Sequence, residues 1–123
     1  MRCDVYSILI LDDEKNIRLT IKKCLDNPGY EVDEAYNGEE ALVKFTEKTY
    51  HLLLLDLKLP GMDGMELLKL VKDQYPQMAV IIISAHGSIA TAVEAMKLGA
   101  LDYLEKPFTP AEIRSVVQKA LPQ

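Results

Sequence analysis

The stretch LLLLDLKLPGMDG, Leu52 to Gly64, carries four leucines straight into a carboxylate and then breaks off at Pro60 and Gly61. An apolar run this short, closed by turn residues, reads as a strand buried on both faces. The expected strand is His51–Leu55, with Asp56 at its carboxyl end and a loop at Pro60 and Gly61.

The same grammar recurs along the chain. Tyr6–Leu11 and Ala79–Ile83 are further uninterrupted apolar strands, Glu31–Ala35 a weaker one suited to a sheet edge, and Leu101–Leu104 a short fifth. Between them lie helical patterns: Glu14–Asp26 (Ile17, Ile21, Cys24 and Leu25 on one face), Glu39–Lys48 (Ala41, Leu42 and Phe45 inward) and Met65–Gln74 (Leu67, Leu68 and Val71 inward). A fourth helix is capped by Ser88, runs to Leu98 with Ile89, Val93 and Met96 on one face, and is closed by Gly99. A last one is capped by Thr109, with Pro110 at the first helical position and Glu112 three residues after the cap. Five strand–helix units in succession imply an α/β fold: a parallel sheet, doubly wound, with right-handed crossovers.

The totals bound the function. One domain is expected for 123 residues, and 49% apolar with 27% charged is a globular balance. A net charge of −5 with interspersed signs offers no basic stripe, so direct nucleic-acid binding is not expected. No run approaches a membrane span, and the amino terminus lacks the pattern of a signal peptide. A cytoplasmic protein is the expectation, with Cys3 and Cys24 as free thiols.

In an open α/β sheet, ligands bind beyond the carboxyl ends of the strands. Those ends carry Asp12 and Asp13, Asp56, Ser84, and Lys106 before Pro107. Taken singly each is ordinary: Asp caps helices and opens turns, and lysine is usually solvated. Together they are costly, because three carboxylates repel. Lys106, a hard divalent cation or both should offset them, and carboxylate oxygens suit Mg2+. An aspartate can also act as nucleophile toward a phosphoryl group, a reaction that needs mainly positioning and charge neutralisation. Asp56, ending a wholly apolar strand, is the natural nucleophile, Asp12 and Asp13 the metal pair, and Ser84 a hydrogen-bond donor to the phosphoryl group.

These elements, ILILDDE, LLLLDLKLPGMDG, IIISAHG and DYLEKPF, resemble the receiver domain of two-component response regulators over essentially the whole chain. The wording AHGSIATAVEAMKLGALDYLEKPF looks most like the nitrogen-regulatory, sigma-54 activator class. The resemblance implies a flavodoxin-like sheet of strand order 2-1-3-4-5. It implies Mg2+ held by Asp13, Asp56 and the backbone carbonyl of Lys58, with Asp12 helping through water. It makes Asp56 the phosphorylation site, Ser84 and Tyr103 the switch pair, and Pro107 the partner of Lys106 in a cis peptide. Lys58 and His86 would tune phosphate lifetime; zinc binding by His86 is not expected. His51 reads as structural, and Met62, Met65, Met78 and Met96 as core filler, with Met62 also a candidate kinase contact.

The expected partners are a sensor histidine kinase, a second copy on activation, and downstream ATPase and DNA-binding domains of a longer regulator. The responding surface would span Ser88–Leu98, Leu101–Leu104 and Thr109–Leu121. The domain would phosphorylate and dephosphorylate itself without being a turnover enzyme, and a stand-alone receiver in a phosphorelay is the alternative. A haloacid-dehalogenase-type phosphohydrolase would want an Asp-x-Asp motif and a cap insertion, and a nucleotide or flavin binder a glycine-rich loop after the first strand. Neither is present. A degenerate receiver is disfavoured because all five key residues stand in place.

Overall fold

The computed structural model describes residues 5–85 and 88–121, so Cys3 and His86 lie outside the described residues. Five parallel strands, β1 (Tyr6–Leu11), β2 (Tyr30–Ala35), β3 (Leu52–Asp56), β4 (Ala79–Ser84) and β5 (Asp102–Glu105), form one sheet in the order β2-β1-β3-β4-β5. The helices are α1 (Lys15–Cys24), α2 (Gly38–Glu47), α3 (Gly64–Gln74), α4 (Ile89–Lys97) and α5 (Pro110–Ala120). This is the doubly wound, flavodoxin-like architecture expected from the sequence, with β2 at an edge.

The pleat explains why the apolar runs are uninterrupted. Leu53 and Leu55 of β3 point into a core with Leu67, Leu68, Val71 and Ala95 of α3 and α4. Leu52 and Leu54 point into a second core with Ile21, Ile113 and Val117 of α1 and α5. All four leucines are buried. Each fully buried leucine side chain contributes about 2 kcal/mol through removal of apolar area from water. The central strand that carries Asp56 is therefore held from both sides.

Local sequence sets the helix ends. Asn37, Asp63, Ser88 and Thr109 each accept a backbone N–H of the helix they open. Thr109 and Glu112 form the expected capping box, with Pro110 at the first turn. Gly99 has φ +109°, and the N–H groups of Gly99 and Ala100 bond back to Met96 and Ala95. That is the Schellman closure expected of a glycine after a helix.

Four expectations are corrected. His51 lies before β3, exposed, where its Nδ1 accepts the Ser7 N–H at 3.0 Å, and the strand instead includes Asp56. The fifth strand starts at Asp102, leaving Leu101 exposed, and reaches Glu105. The loop at Pro60 and Gly61 is a tight antiparallel hairpin in which Lys58 pairs with Asp63 and Leu59 with Met62; Gly61 at φ +76° makes its turn. Met96, read as core filler, is exposed together with Ile89 and Val93, while α4 buries Ala95. Met78 is core, and Met62 and Met65 pack against the α2–α4 side. The hairpin is tied down at both ends. A Cβ at Gly64 would come within 2.5 Å of the Leu57 backbone, and one at Gly38 within 2.6 Å of the Met62 sulfur.

Candidate functional site

The sheet delivers its charged residues to one rim. Asp12 follows β1, Asp56 ends β3, Ser84 ends β4 and Lys106 follows β5. Asp12 (2% exposed), Asp56 (5%) and Ser84 (3%) are buried, whereas Asp13 is exposed. The ladder continues one residue past β5, because the Lys106 N–H donates to the Ser84 carbonyl at 2.8 Å. The following peptide, Lys106–Pro107, is cis, as the resemblance implied.

From this anchor the Lys106 Nζ donates to Asp12 Oδ2 at 2.8 Å and to Asp56 Oδ2 at 3.4 Å. The other oxygens have backbone partners: the Glu14 N–H reaches Asp12 Oδ1 at 2.8 Å and the Lys58 N–H reaches Asp56 Oδ1 at 3.1 Å. Lys58 thus touches Asp56 through its main chain, with its side chain exposed. α1 has no side-chain N-cap of its own, so capping does not account for Asp12 or Asp13.

The electrostatics follow from this crowding. Burial raises the Asp56 pKa above the usual carboxylate value; the Lys58 N–H opposes it, the Asp12 charge adds to it, and Lys106 opposes it in turn. Burial alone would lower the Lys106 pKa, but the hydrogen bond to Asp12 and the charges of Asp12 and Asp56 outweigh it and raise it. Lys106 is therefore an ammonium at neutral pH, and its single charge serves two carboxylates, Asp12 and Asp56, with Asp13 left outside the pairing.

One carboxylate oxygen from each of Asp12, Asp13 and Asp56 lies within 4.8 Å of the other two. Three hard oxygens gathered this closely could converge on one hard divalent cation such as Mg2+, which takes carboxylate oxygens and keeps water ligands. The donors are hard oxygens, the uncompensated charge is negative, and exposed Asp13 leaves the pocket open to solvent. The residues fit a divalent cation.

Tyr103 sits beside Ile82 in register, on the α4 side of the sheet, and its ring packs against that core. Its Oη is buried and has no hydrogen-bond partner among the described residues. A buried hydroxyl left unpaired costs about 1–3 kcal/mol. Tyr103→Phe is therefore expected to stabilise the fold by about 1 kcal/mol or more, measured as a rise in urea midpoint at constant m; an unchanged or lower midpoint counts against the orphaned hydroxyl.

Sequence reading passes over Arg18, which the structure brings to the base of this pocket. Its Nη1 donates to the Asp12 carbonyl at 2.7 Å and its Nε to Glu34 Oε1 at 3.1 Å. No pattern of residue types announces an arginine bound to a main-chain oxygen.

Known proteins are similar to this chain in sequence and fold. The family profile described as the response regulator receiver domain matches residues 8–118. A putative NtrX-like response regulator of Rickettsia bellii is 44% identical over 118 residues, covering 94% of this chain and 25% of that protein. Sporulation initiation phosphotransferase F of Bacillus subtilis is 43% identical over 115 residues, covering 94% of this chain and 93% of that protein. The crystal structure of the receiver domain of NtrX from Brucella abortus superposes with a TM-score of 0.87 at 39% identity, covering 93% of this chain and 97% of that one. The chain thus spans about a quarter of its NtrX-like relative and nearly all of the sporulation phosphotransferase. With a profile matched across nearly its whole length and relatives of this identity, the chain belongs to the response regulator receiver domains.

Proposed function

We propose that this domain is a phosphorylation switch whose acceptor is Asp56. The observation that carries the reading is the cluster of Asp12, Asp13 and Asp56 at the strand ends, two of which, Asp12 and Asp56, are bound by Lys106. A phosphohistidine on a sensor kinase is the donor. An Asp56 carboxylate oxygen attacks phosphorus, the P–N bond breaks, and the imidazole leaves with its electron pair to be protonated. The Lys58 N–H orients Asp56, and the Lys106 ammonium faces the charge that arrives. Mg2+ held by Asp13, Asp56 and the Lys58 carbonyl, with Asp12 through water, would neutralise phosphoryl oxygens in a reaction governed by positioning and charge. Asp13, exposed and unpaired among the described residues, is its least encumbered ligand. Asp13→Ala is expected to weaken Mg2+ binding at least about tenfold in calorimetric titration; unchanged affinity removes Asp13 from the site.

The phosphoryl group adds close to two negative charges. Ser84 moves toward it, Tyr103 repacks, and the surface of α4, β5 and α5 shifts between two pre-existing packings. Tyr103 suits this role because its buried hydroxyl has no hydrogen-bond partner among the described residues. The surface carries the exposed Ile89, Val93, Met96 and Leu101, an apolar face suited to a second copy or an output domain. His86 and Lys58 would tune phosphate lifetime. Relatives named NtrX-like and NtrC favour output through a sigma-54-activating ATPase and a DNA-binding domain in transcription regulation. The full-length match to a sporulation phosphotransferase favours a second reading, a phosphorelay intermediate acting by protein contact alone. Either way the domain turns itself over slowly rather than acting as an enzyme on other substrates, and works in the cytoplasm. No helix among the described residues is long and apolar enough to cross a membrane. Incubation with Mg2+ and acetyl phosphate should add one base-labile phosphoryl group to the chain; no uptake would defeat the proposal.

A further inference from the structure

We infer that Arg18 is a positioning residue for the cation pocket, clamping the peptide that presents Asp13 to the edge strand β2. The inference rests on the reading of Asp12, Asp13 and Asp56 as a cation site. Asp13 has no side-chain partner among the described residues, so the backbone beneath it is what fixes the point from which its carboxylate reaches into the pocket. The peptide unit is rigid and planar, so fixing the Asp12 carbonyl oxygen also fixes the nitrogen and Cα of Asp13.

Arg18 supplies that fixation. Its side chain is only 13% exposed, and its fork spans two partners: Nη1 on the Asp12 carbonyl at 2.7 Å and Nε on Glu34 Oε1 at 3.1 Å. Glu34 belongs to β2, whose Ala35 carbonyl accepts the Asp12 N–H at 3.2 Å. Both main-chain groups of Asp12 are thereby tied to β2, one directly and one through Arg18. Lys22 also approaches Glu34, at 3.4 Å, but it is half exposed and reaches nothing at the pocket. A surface ion pair would need only charge; this one needs a planar donor set that serves a carboxylate and a carbonyl at once. Lysine, with one compact ammonium, cannot replace it.

The test measures Mg2+ affinity by isothermal titration on wild type, Arg18→Ala, Arg18→Lys and Lys22→Ala, each first checked for cooperative melting without metal. Loss of an outer partner typically costs about 10–100-fold in metal affinity, and Arg18→Ala is expected in that range. Arg18→Lys keeps the charge and most of the stem, so it carries the test if Arg18→Ala fails to fold, and it too is expected to bind at least about tenfold more weakly. Lys22→Ala removes the exposed arm of the same network and is expected within about twofold of wild type. Acetyl phosphate labelling of Arg18→Lys should recover toward wild type at saturating Mg2+, because the residue acts through metal affinity rather than on phosphorus. Both Arg18 variants binding Mg2+ like wild type, or Lys22→Ala weakening binding as much as they do, overturns the inference. Wild type that binds no Mg2+ overturns the cation reading and this inference with it, a result separable from the first two.

Discussion

Asp56→Asn is expected to take up no phosphoryl group from acetyl phosphate and Mg2+ while folding more stably than the wild type. The loss of labelling should be complete, because an amide is not a nucleophile toward phosphorus and no other carboxylate has the place of Asp56 at the end of β3. The gain in stability comes from the same burial. Asp56 is 5% exposed beside Asp12, and its pKa is raised, so its ionised form is held against an unfavourable environment. Asparagine keeps the oxygen that accepts the Lys58 N–H at 3.1 Å and discards the charge. Relief of a functional site of this kind gives about 0.5–2 kcal/mol.

The pH dependence has a definite sign. A carboxyl whose folded pKa lies above its unfolded value binds its proton more tightly when folded. Wild-type stability therefore rises as pH falls through the raised pKa toward the ordinary value near 3.8. Asp56→Asn lacks that contribution. The stability gap between the two should be widest at neutral pH and close on acidification, as read from melting temperatures across the range. A gap that widens on acidification would mean Asp56 is stabilised as a carboxylate, and base-labile labelling of the variant would assign the acceptor elsewhere.

The fold was legible where burial leaves no choice. β3 and β4 are apolar at every position up to their last residues, Asp56 and Ser84, because both faces are covered, and composition alone reveals that. α4 was legible in period but not in direction. Ile89, Val93 and Met96 recur at helical spacing yet face solvent, while the inward side is small, with Ala95 against the sheet. Periodicity reports that residues share a face and is silent on where it points, and an apolar face left outside is what an interaction surface requires. The hairpin at Lys58–Asp63 escaped notice because two-residue strands leave no alternation to read. The pocket was legible in its residue types, since the strand-end rule gathers Asp12, Asp56 and Lys106. Its wiring was not: the Lys106–Asp12 contact spans 94 positions, and the Arg18 contact ends on a carbonyl that every residue has.

Lys106→Ala should be the most destabilising of the pocket substitutions, and its cost should depend on pH and on metal. Lys106 is 10% exposed on its side chain and is the only ammonium touching Asp12 and Asp56 among the described residues. Removing one partner of a buried ion pair costs about 3–5 kcal/mol because the remaining charge stays buried without compensation. Here two carboxylates are stranded. Their own escape is protonation: without the lysine, the already raised Asp56 pKa rises further, so part of the loss is recovered as pH falls through it. The wild type behaves oppositely at the alkaline end. The raised Lys106 pKa gives a contribution fully present below the ordinary lysine value near 10.5, and lost as pH rises through the folded value. A cation offers the second escape, since Mg2+ at a hundred times its dissociation constant would return about 2.7 kcal/mol. Urea unfolding of Lys106→Ala at neutral pH with chelator, at neutral pH with Mg2+, and at mildly acidic pH should therefore give the lowest stability in the first condition and higher values in the other two. Equal stability in all three would mean that Lys106 does not hold the acidic pocket together electrostatically, and the charge argument for this site would fall with it.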